Sequence, residues 1–502
     1  MAVFQRILKN LMAMFTSRII TVLRQLVIPP VFIARYSIAQ YGEWGVLSGA
    51  VAALSMLNFG VQTFMNQDLA VRLNQGDMED YQLRQSTALR LLCGVVLVAS
   101  VLCLVLFFVP LNTWLRLDLG RRDTQWTAYL LCLCVLSNSL YGYFGGLFMG
   151  VGLAHRGGQW NNVQSTLSMV GLLVCVLLHL SFPILAGVQL LATLCTIAAI
   201  LVDIRRTAPE VYPNLDSWDG SAVMEIIKPS SHFGLLSACT FLTFQAPLIV
   251  LQRFVGPVAV AAFIIMRTLF SMCRQILAMF TQSMGPEITV LFGRRDWPGI
   301  SRLYEYSERF IFFLIPVLNT GVLLLSPLLI TVWMHKKAEL FSPYPYAIAC
   351  AVSMVMSLKD HKVQFQYSTN THMELARLMF VSYAAMVIVS VGAVYWFGVA
   401  GFLYAWLFTE IYQTASIIQL NMRLFAHFER LELSYLRRLT LLSIPALLVS
   451  YPLLEHITNR NMLWQITVAI AGGLIIAGSA WFLFGVRDVL KKISGLLSRK
   501  FA

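Results

Sequence analysis

Apolar blocks of about twenty residues recur along the whole chain, and that length constrains its fold more than any other feature. At 1.5 Å rise per residue, a helix of this size crosses the hydrocarbon core of a bilayer. Windows near 11–34, 43–66, 88–109, 127–150, 163–180, 184–204, 231–252, 258–282, 309–333, 344–366, 376–397, 400–421, 439–456 and 464–486 read as spans, about fourteen in all. Lipid cannot satisfy backbone amides, so such blocks fold as helices. Of the 502 residues 58% are hydrophobic and 12% charged, about half the charged share of soluble domains. The expectation is an all-α polytopic membrane protein. The first block lacks the short apolar core and small-residue cleavage site of a signal peptide.

Basic residues sort to one side once both termini are placed in the cytoplasm. Arg6, Lys9, Arg72, Arg84, Arg156, Arg205, Arg206, Arg294, Arg295, Arg437, Arg438, Lys491 and Lys492 then lie inside, whereas Arg116, Arg121, Arg122, Lys336, Lys337 and Arg460 lie outside. This asymmetry is the positive-inside pattern and predicts a multi-pass membrane protein with both ends cytoplasmic. The net charge of +13 thus serves orientation and contact with anionic membrane lipids, and no nucleic-acid partner is implied.

A polar interruption over 205–230, rich in Pro, Asp, Gly and Ser, separates six spans from those that follow. The segment after it repeats the opening plan loosely: Pro247 corresponds to Pro29 and Pro30, and Arg253-Phe254 to Arg35-Tyr36. The reading is an N-terminal lobe over 1–204, a cytoplasmic linker over 205–230, a C-terminal lobe over 231–421, two added helices over 422–486 and a basic tail over 487–502. Two six-helix lobes around a central cavity, plus two C-terminal helices, are a common transporter plan. The tail is amphipathic and suits the inner leaflet.

Within the first block stand Arg18 and Arg24. An arginine at mid-membrane costs roughly 2.5–3.5 kcal/mol on insertion scales unless it faces protein or water. Arg18, Thr21 and Gln25 share one helical face, and Arg24 lies about a third of a turn away. In the eighth block Arg267, Ser271, Arg274 and Thr281 form a second stripe. Blocks one, seven and eight hold no Asp or Glu to neutralise these cations. The pattern predicts the wall of a water-filled cationic cavity for an anionic ligand, against the plainer reading that the arginines snorkel or pair structurally.

Ser48, Ser55, Asn58, Gln62 and Asn66 make a polar stripe in the second block, expected to face the same interior. Glu43 and Trp44 suit the outer interface. Asp360 and His361, at the end of the tenth block, and Glu410, one turn from Gln413 in the twelfth, are candidates for binding a coupling proton or sodium ion. Asp360 pairing with a flanking lysine is the plainer reading. The nine cysteines sit in or beside apolar blocks and read as packing residues rather than disulfides or metal ligands. Neither a phosphate loop nor HExxH or GxSxG is present, so no enzyme activity, metal or cofactor is expected.

The opening R-x5-R with its following prolines and YGEW, together with LNFGVQ, KDHKVQFQYSTNTHMELA and GVAGFLYAWLFTEI, resembles the polysaccharide (O-antigen, Wzx-type) flippases of the multidrug/oligosaccharidyl-lipid/polysaccharide (MOP) superfamily. The resemblance covers essentially the whole chain through diffuse motifs. It implies two helical lobes around a cationic cavity. It also implies transfer of an undecaprenyl-diphosphate-linked oligosaccharide, an O-antigen or exopolysaccharide repeat unit, to the periplasmic leaflet of the bacterial inner membrane by alternating access, and the candidate residues above add the expectation of ion coupling. A polysaccharide polymerase and a chain-length regulator are the partner candidates. Lipid II flippases of the same superfamily grip the diphosphate with arginines of the first, second and eighth helices. Here Arg18, Arg24, Arg267 and Arg274 match, with Gln25, Asn58 and Gln62 as polar companions, and the second block has no arginine. A lipid II flippase and a drug/cation antiporter are the alternatives. The antiporter needs an acidic cavity where this chain has arginines. A membrane scaffold with purely structural arginines is the non-transport alternative.

Overall fold

A computed structural model describes residues 2–58, 61–334, 340–369, 372–424, 434–458 and 460–485. The described residues fold into helices α1 (Ala2–Arg35), α2 (Ile38–Val51), α3 (Val61–Gln75), α4 (Met78–Leu102), α5 (Leu111–Trp114), α6 (Arg121–Leu147), α7 (Ala154–Leu177), α8 (Phe182–Thr207), α9 (Gly220–Phe244), α10 (Ala246–Phe254), α11 (Pro257–Ser283), α12 (Gly285–Gly293), α13 (Trp297–Trp333), α14 (Pro343–Ser368), α15 (His372–Leu424), α16 (Ser434–Thr458) and α17 (Met462–Phe484). The chain divides into two compact units, Met1–Ala261 and Ala262–Ala502, with the boundary inside α11. Ten helical segments among the described residues are long and apolar enough to cross a membrane. The protein is a multi-pass helical membrane protein.

The difference from the fourteen expected windows has local causes. The 43–66 window is broken: α2 stops at Val51, Ala52–Asn58 tighten into a 3-10 turn, and α3 starts at Val61. Ser55 Oγ donates to the Ala52 carbonyl at 2.7 Å within this turn, a local bond that competes with the α-helical ladder. The 231–252 window breaks at Gln245, where Pro247 enters the first turn of α10 without an amide hydrogen. The 344–366 window carries Lys359, Asp360 and Lys362, too much charge for an apolar span. The windows at 376–397 and 400–421 join into α15, kinked at Gly398 (φ 57°, ψ −139°), a conformation open essentially to glycine alone.

In unit 1, α6 is central, packing on α8, α3, α4, α2 and α7. Small residues make the close approaches. A Cβ at Gly157 of α7 would lie 2.3 Å from the Gly145 carbonyl oxygen of α6. One at Gly142 or Gly146 would lie 1.9 Å from the side chain of Gln62 or Asn66 of α3. Glycines thus substitute for van der Waals bulk where helices meet. The non-helical stretch between α8 and α9, residues 208–219 save for a short 3-10 turn, is tied along α4. Gln85 Nε2 donates to the Val211 carbonyl (2.8 Å) and Ser86 Oγ to that of Ser217 (2.6 Å). The Asp219 amide donates to Thr87 Oγ1 at 3.1 Å.

In unit 2, α14 packs against α15, α13, α12 and α16, while α17 lies along α13 and α16. Helices α16 and α17 expose Leu448, Val449, Leu474 and Phe482, as expected of lipid-facing additions. The basic tail over 487–502 lies outside the described residues.

Candidate functional site

On α1, Arg18 and Arg24 are accessible, and among the described residues neither is ion-paired. Arg24 has Cys134 and Tyr41 as electrostatic neighbours. Gln25 is half-buried on the same helix. The helix is held to α7 by Asn162 Nδ2, which donates to the Ala13 carbonyl at 3.0 Å. Two guanidinium groups six residues apart on one helix thus carry no ion-pair partner among the described residues, and such forks donate to phosphate oxygens in pairs.

The polar stripe of the second block does not form. The 3-10 turn ends its helical register, and beyond it Gln62 and Asn66 lie in the hollows above Gly142 and Gly146. Asn66 Nδ2 donates to the Gly142 carbonyl at 3.2 Å. These side chains fasten α3 to α6, which corrects the expectation that the stripe lines a cavity. The side chain of Asn58 lies outside the described ones. Glu43 and Trp44 are buried rather than interfacial. Glu43 Oε1 accepts from the Asp118 amide, and Trp44 meets Phe182 edge-on, ring centroids 5.5 Å apart. Arg156, expected in a simple turn, forms a two-pronged pair with Asp203 (3.2 and 2.9 Å), to which Trp160 Nε1 also donates at 2.9 Å. Beside α2, α4 and α6 lies a cavity of about 440 Å³ lined by residues such as Leu47, Ala53, Leu102 and Cys132. Its lining is aliphatic apart from thiols, so it cannot hold an anion.

Unit 2 is organised by four successive residues of α14. At about 100° per residue they point around the helix to different neighbours. Lys359 reaches α15: its Nζ donates to Tyr383 Oη (2.5 Å) and Gln413 Oε1 (3.0 Å) and lies 2.5 Å from Glu410 Oε2. Asp360 turns to α11, where Arg274 grips one of its oxygens through Nε (3.2 Å) and a terminal nitrogen (2.7 Å). His361 Nε2 is 2.9 Å from Ser307 Oγ of α13. Lys362 pairs with Glu308 of α13 and donates to Tyr304 Oη at 2.6 Å. Its Nζ also stands 4.2 Å from the Tyr304 ring centre and 5.2 Å from that of Phe312. Asn421 links α15 to this cluster, donating to the Lys362 carbonyl (3.0 Å) and accepting from Gln366 Nε2 (2.7 Å).

Several expectations are corrected here. Asp360 pairs with Arg274 rather than a flanking lysine, so that arginine has a carboxylate counter-ion from α14. Glu410 and Gln413 hold the Lys359 ammonium, so they are not vacant for a coupling ion. Arg267 lies over the Phe263 ring at 5.6 Å. Lys359, Lys362, Glu308, Tyr304, Tyr383 and Asn421 escaped sequence reasoning. The signal was the cluster Lys359-Asp360-His361-Lys362 inside a span, which requires counter-charges from neighbouring helices.

No protein-family profile matches the chain, and no curated protein matches it in sequence. Among solved structures it is similar to the lipid II flippase MurJ in an inward closed conformation, at 11% identity and a TM-score of 0.69, over 96% of this chain and 100% of that one. It is also similar to an inward-facing multidrug-resistance MATE transporter (12% identity, TM-score 0.63, 82% of this chain, 96% of that one). A third likeness is to a MOP-superfamily transporter from Pyrococcus furiosus, described by the reverse polarity of its binding pocket (12% identity, TM-score 0.53, 84% of this chain, 95% of that one). These neighbours are membrane transporters, and the chain shares their fold.

Proposed function

We propose that the protein is a flippase that moves a polyprenyl-diphosphate-linked oligosaccharide, such as an O-antigen or exopolysaccharide repeat unit, from the inner to the outer leaflet by alternating access. The observation that carries this reading is the pair Arg18 and Arg24, accessible on a membrane helix with no ion-pair partner among the described residues. A membrane-embedded guanidinium is tolerated when water, protein or an anion meets it. A diphosphate supplies adjacent anionic oxygens for two such forks. A cationic drug, the cargo of an antiporter, would be repelled by the same helix.

Arg274 enters differently, because Asp360 already occupies it. The pair is partly exposed, at 20% and 33% for the two side chains, so an arriving phosphate can compete with the carboxylate. Capture by Arg274 then exchanges one anion for another and releases the Asp360 carboxylate. The likeness to a lipid II flippase over nearly the whole chain supports the flippase reading at the level of fold, and lipid II remains the second cargo, since it offers the same diphosphate.

The test is complementation of two strains, one lacking its O-antigen flippase and one depleted of its lipid II flippase, with dye efflux measured in parallel. Arg18→Ala and Arg24→Ala are expected to abolish surface polysaccharide while protein remains abundant, with lysine at either position partly restoring it. Normal export by the double alanine variant, or rescue of efflux alone, refutes the proposal.

A further inference from the structure

We propose that Glu410, Tyr383 and Gln413 form a monovalent-cation cage whose cation is built in. The Lys359 ammonium occupies the place that a free sodium, potassium or ammonium ion would otherwise take. This holds whatever the cargo is.

The geometry is that of a cation site. Three oxygens of different kinds, a carboxylate, a phenol and an amide carbonyl, converge on Lys359 Nζ at 2.5, 2.5 and 3.0 Å. Tyr383 Oη and Gln413 Oε1 accept hydrogen bonds from the ammonium, and Glu410 Oε2 stands against it as the counter-charge. The cage is fixed from behind. Tyr383 Oη and Trp406 Nε1 both donate to Glu410 Oε1, at 2.8 and 3.0 Å, leaving Oε2 for the cation. Gln413 Nε2 donates to Ser382 Oγ at 2.6 Å, which turns its carbonyl oxygen inward. Lys359, Glu410, Tyr383 and Gln413 are each at most 2% exposed, so the ammonium is sealed from solvent.

A buried carboxylate so arranged needs a positive charge. A transporter could leave that charge to a diffusible ion and thereby tie its cycle to an ion gradient at this position. Here the charge arrives on a four-carbon tether from α14, and the cage is complete without any ion. Lys359 therefore replaces ion binding at this position, and the cage locks α14 to α15 permanently.

The test is to remove the tether. Lys359→Ala is purified in detergent, and its melting temperature is compared in ammonium, methylammonium, potassium, sodium and choline chloride at equal ionic strength, beside the wild type. Choline is too large to enter and serves as the reference. The variant is expected to melt below the wild type and to be raised by several degrees by at least one of the small cations, through mass action on the vacated cage. The wild type should be indifferent to the choice of cation, and Lys359→Ala/Glu410→Gln should lose the response. Should Lys359→Ala not yield folded protein, Lys359→Ser, which adds an oxygen to the void, is read in the same way. The wild-type arm needs no variant. A small-cation response no greater in the variants than in the wild type overturns the proposal. So does a wild-type response to sodium or potassium that Glu410→Gln abolishes, for then a free ion binds there beside the lysine.

Discussion

Breaking the second ammonium–carboxylate pair of α14 gives a quantitative measure of how strongly unit 2 depends on matched charge. Lys362 and Glu308 are 1% and 5% exposed, deep enough that water cannot replace a missing partner. Two unit charges about 4 Å apart attract by about 4 kcal/mol at an effective dielectric near 20, and removing one partner of a buried pair costs about 3–5 kcal/mol. In Glu308→Ala the ammonium keeps the Tyr304 hydroxyl at 2.6 Å and the faces of Tyr304 and Phe312. Cation–π attraction of about 0.5–2 kcal/mol softens the loss. The expected cost is therefore near the lower bound, about 3 kcal/mol. Replacing both partners with apolar residues, Glu308→Leu with Lys362→Met, removes the desolvation cost together with the attraction. That double variant should lie within about 1 kcal/mol of the wild type. Reversible unfolding in mixed micelles, followed by tryptophan fluorescence across the four members of the cycle, measures the coupling. It should come to at least about 5 kcal/mol, because each single variant loses about 3 kcal/mol or more while the double variant loses about 1 kcal/mol at most. Strict additivity, or a cost below about 1 kcal/mol for Glu308→Ala, would mean that water or lipid headgroups reach the pair and that the cluster is not an electrostatic core.

Two other perturbations follow from the same geometry. Asp360→Asn removes the carboxylate that occupies Arg274, so pyrophosphate should raise the melting temperature at roughly three- to tenfold lower concentration, matching the about 1 kcal/mol of a half-exposed pair, while export slows because release is impaired. Equal pyrophosphate sensitivity in both proteins refutes the exchange. Gly157→Ala drives a methyl group to within 2.3 Å of the Gly145 carbonyl oxygen. Backbone cannot swing aside as a side chain can, so overpacking should cost about 1–3 kcal/mol, whereas Gly94→Ala, with open space around it, should leave the melting temperature unchanged.

What was legible in the sequence followed from lengths and from charge within apolar blocks. Twenty-residue windows fixed the helical class, and arginines at 18 and 24 stood out because hydrocarbon penalises them wherever the helix packs. Pairings were not legible, because they depend on which helices meet. Arg274 and Asp360 are separated by 86 residues, and nothing in either local sequence names the other. Glu308 and Lys362, likewise, lie 54 residues apart and meet within the bundle. The polar stripe of the second block failed for a different reason. Its regular spacing presumed an unbroken helix, and a serine bonding three residues back supports a tighter turn there instead. The stripe's Gln62 and Asn66 fill the hollows above Gly142 and Gly146.

Charge is disposed differently on α1 and on α14. In unit 2 the lysines of α14 and the arginine that faces Asp360 are each answered by a carboxylate of the same unit. Those pairs cross-link α11, α13, α14 and α15 and are complete as they stand. In unit 1 the ion pairs lie on other helices: Arg72 with Asp68 and Asp80, Arg84 with Asp80 and Glu225, and Arg156 with Asp203. No described carboxylate pairs with Arg18 or Arg24 on α1. Uncompensated charge on a membrane helix is a standing cost, and in the flippase reading proposed above an anionic ligand offsets it. In that reading an anion reaching Arg18 or Arg24 meets no described counter-ion, whereas one reaching Arg274 has Asp360 to displace.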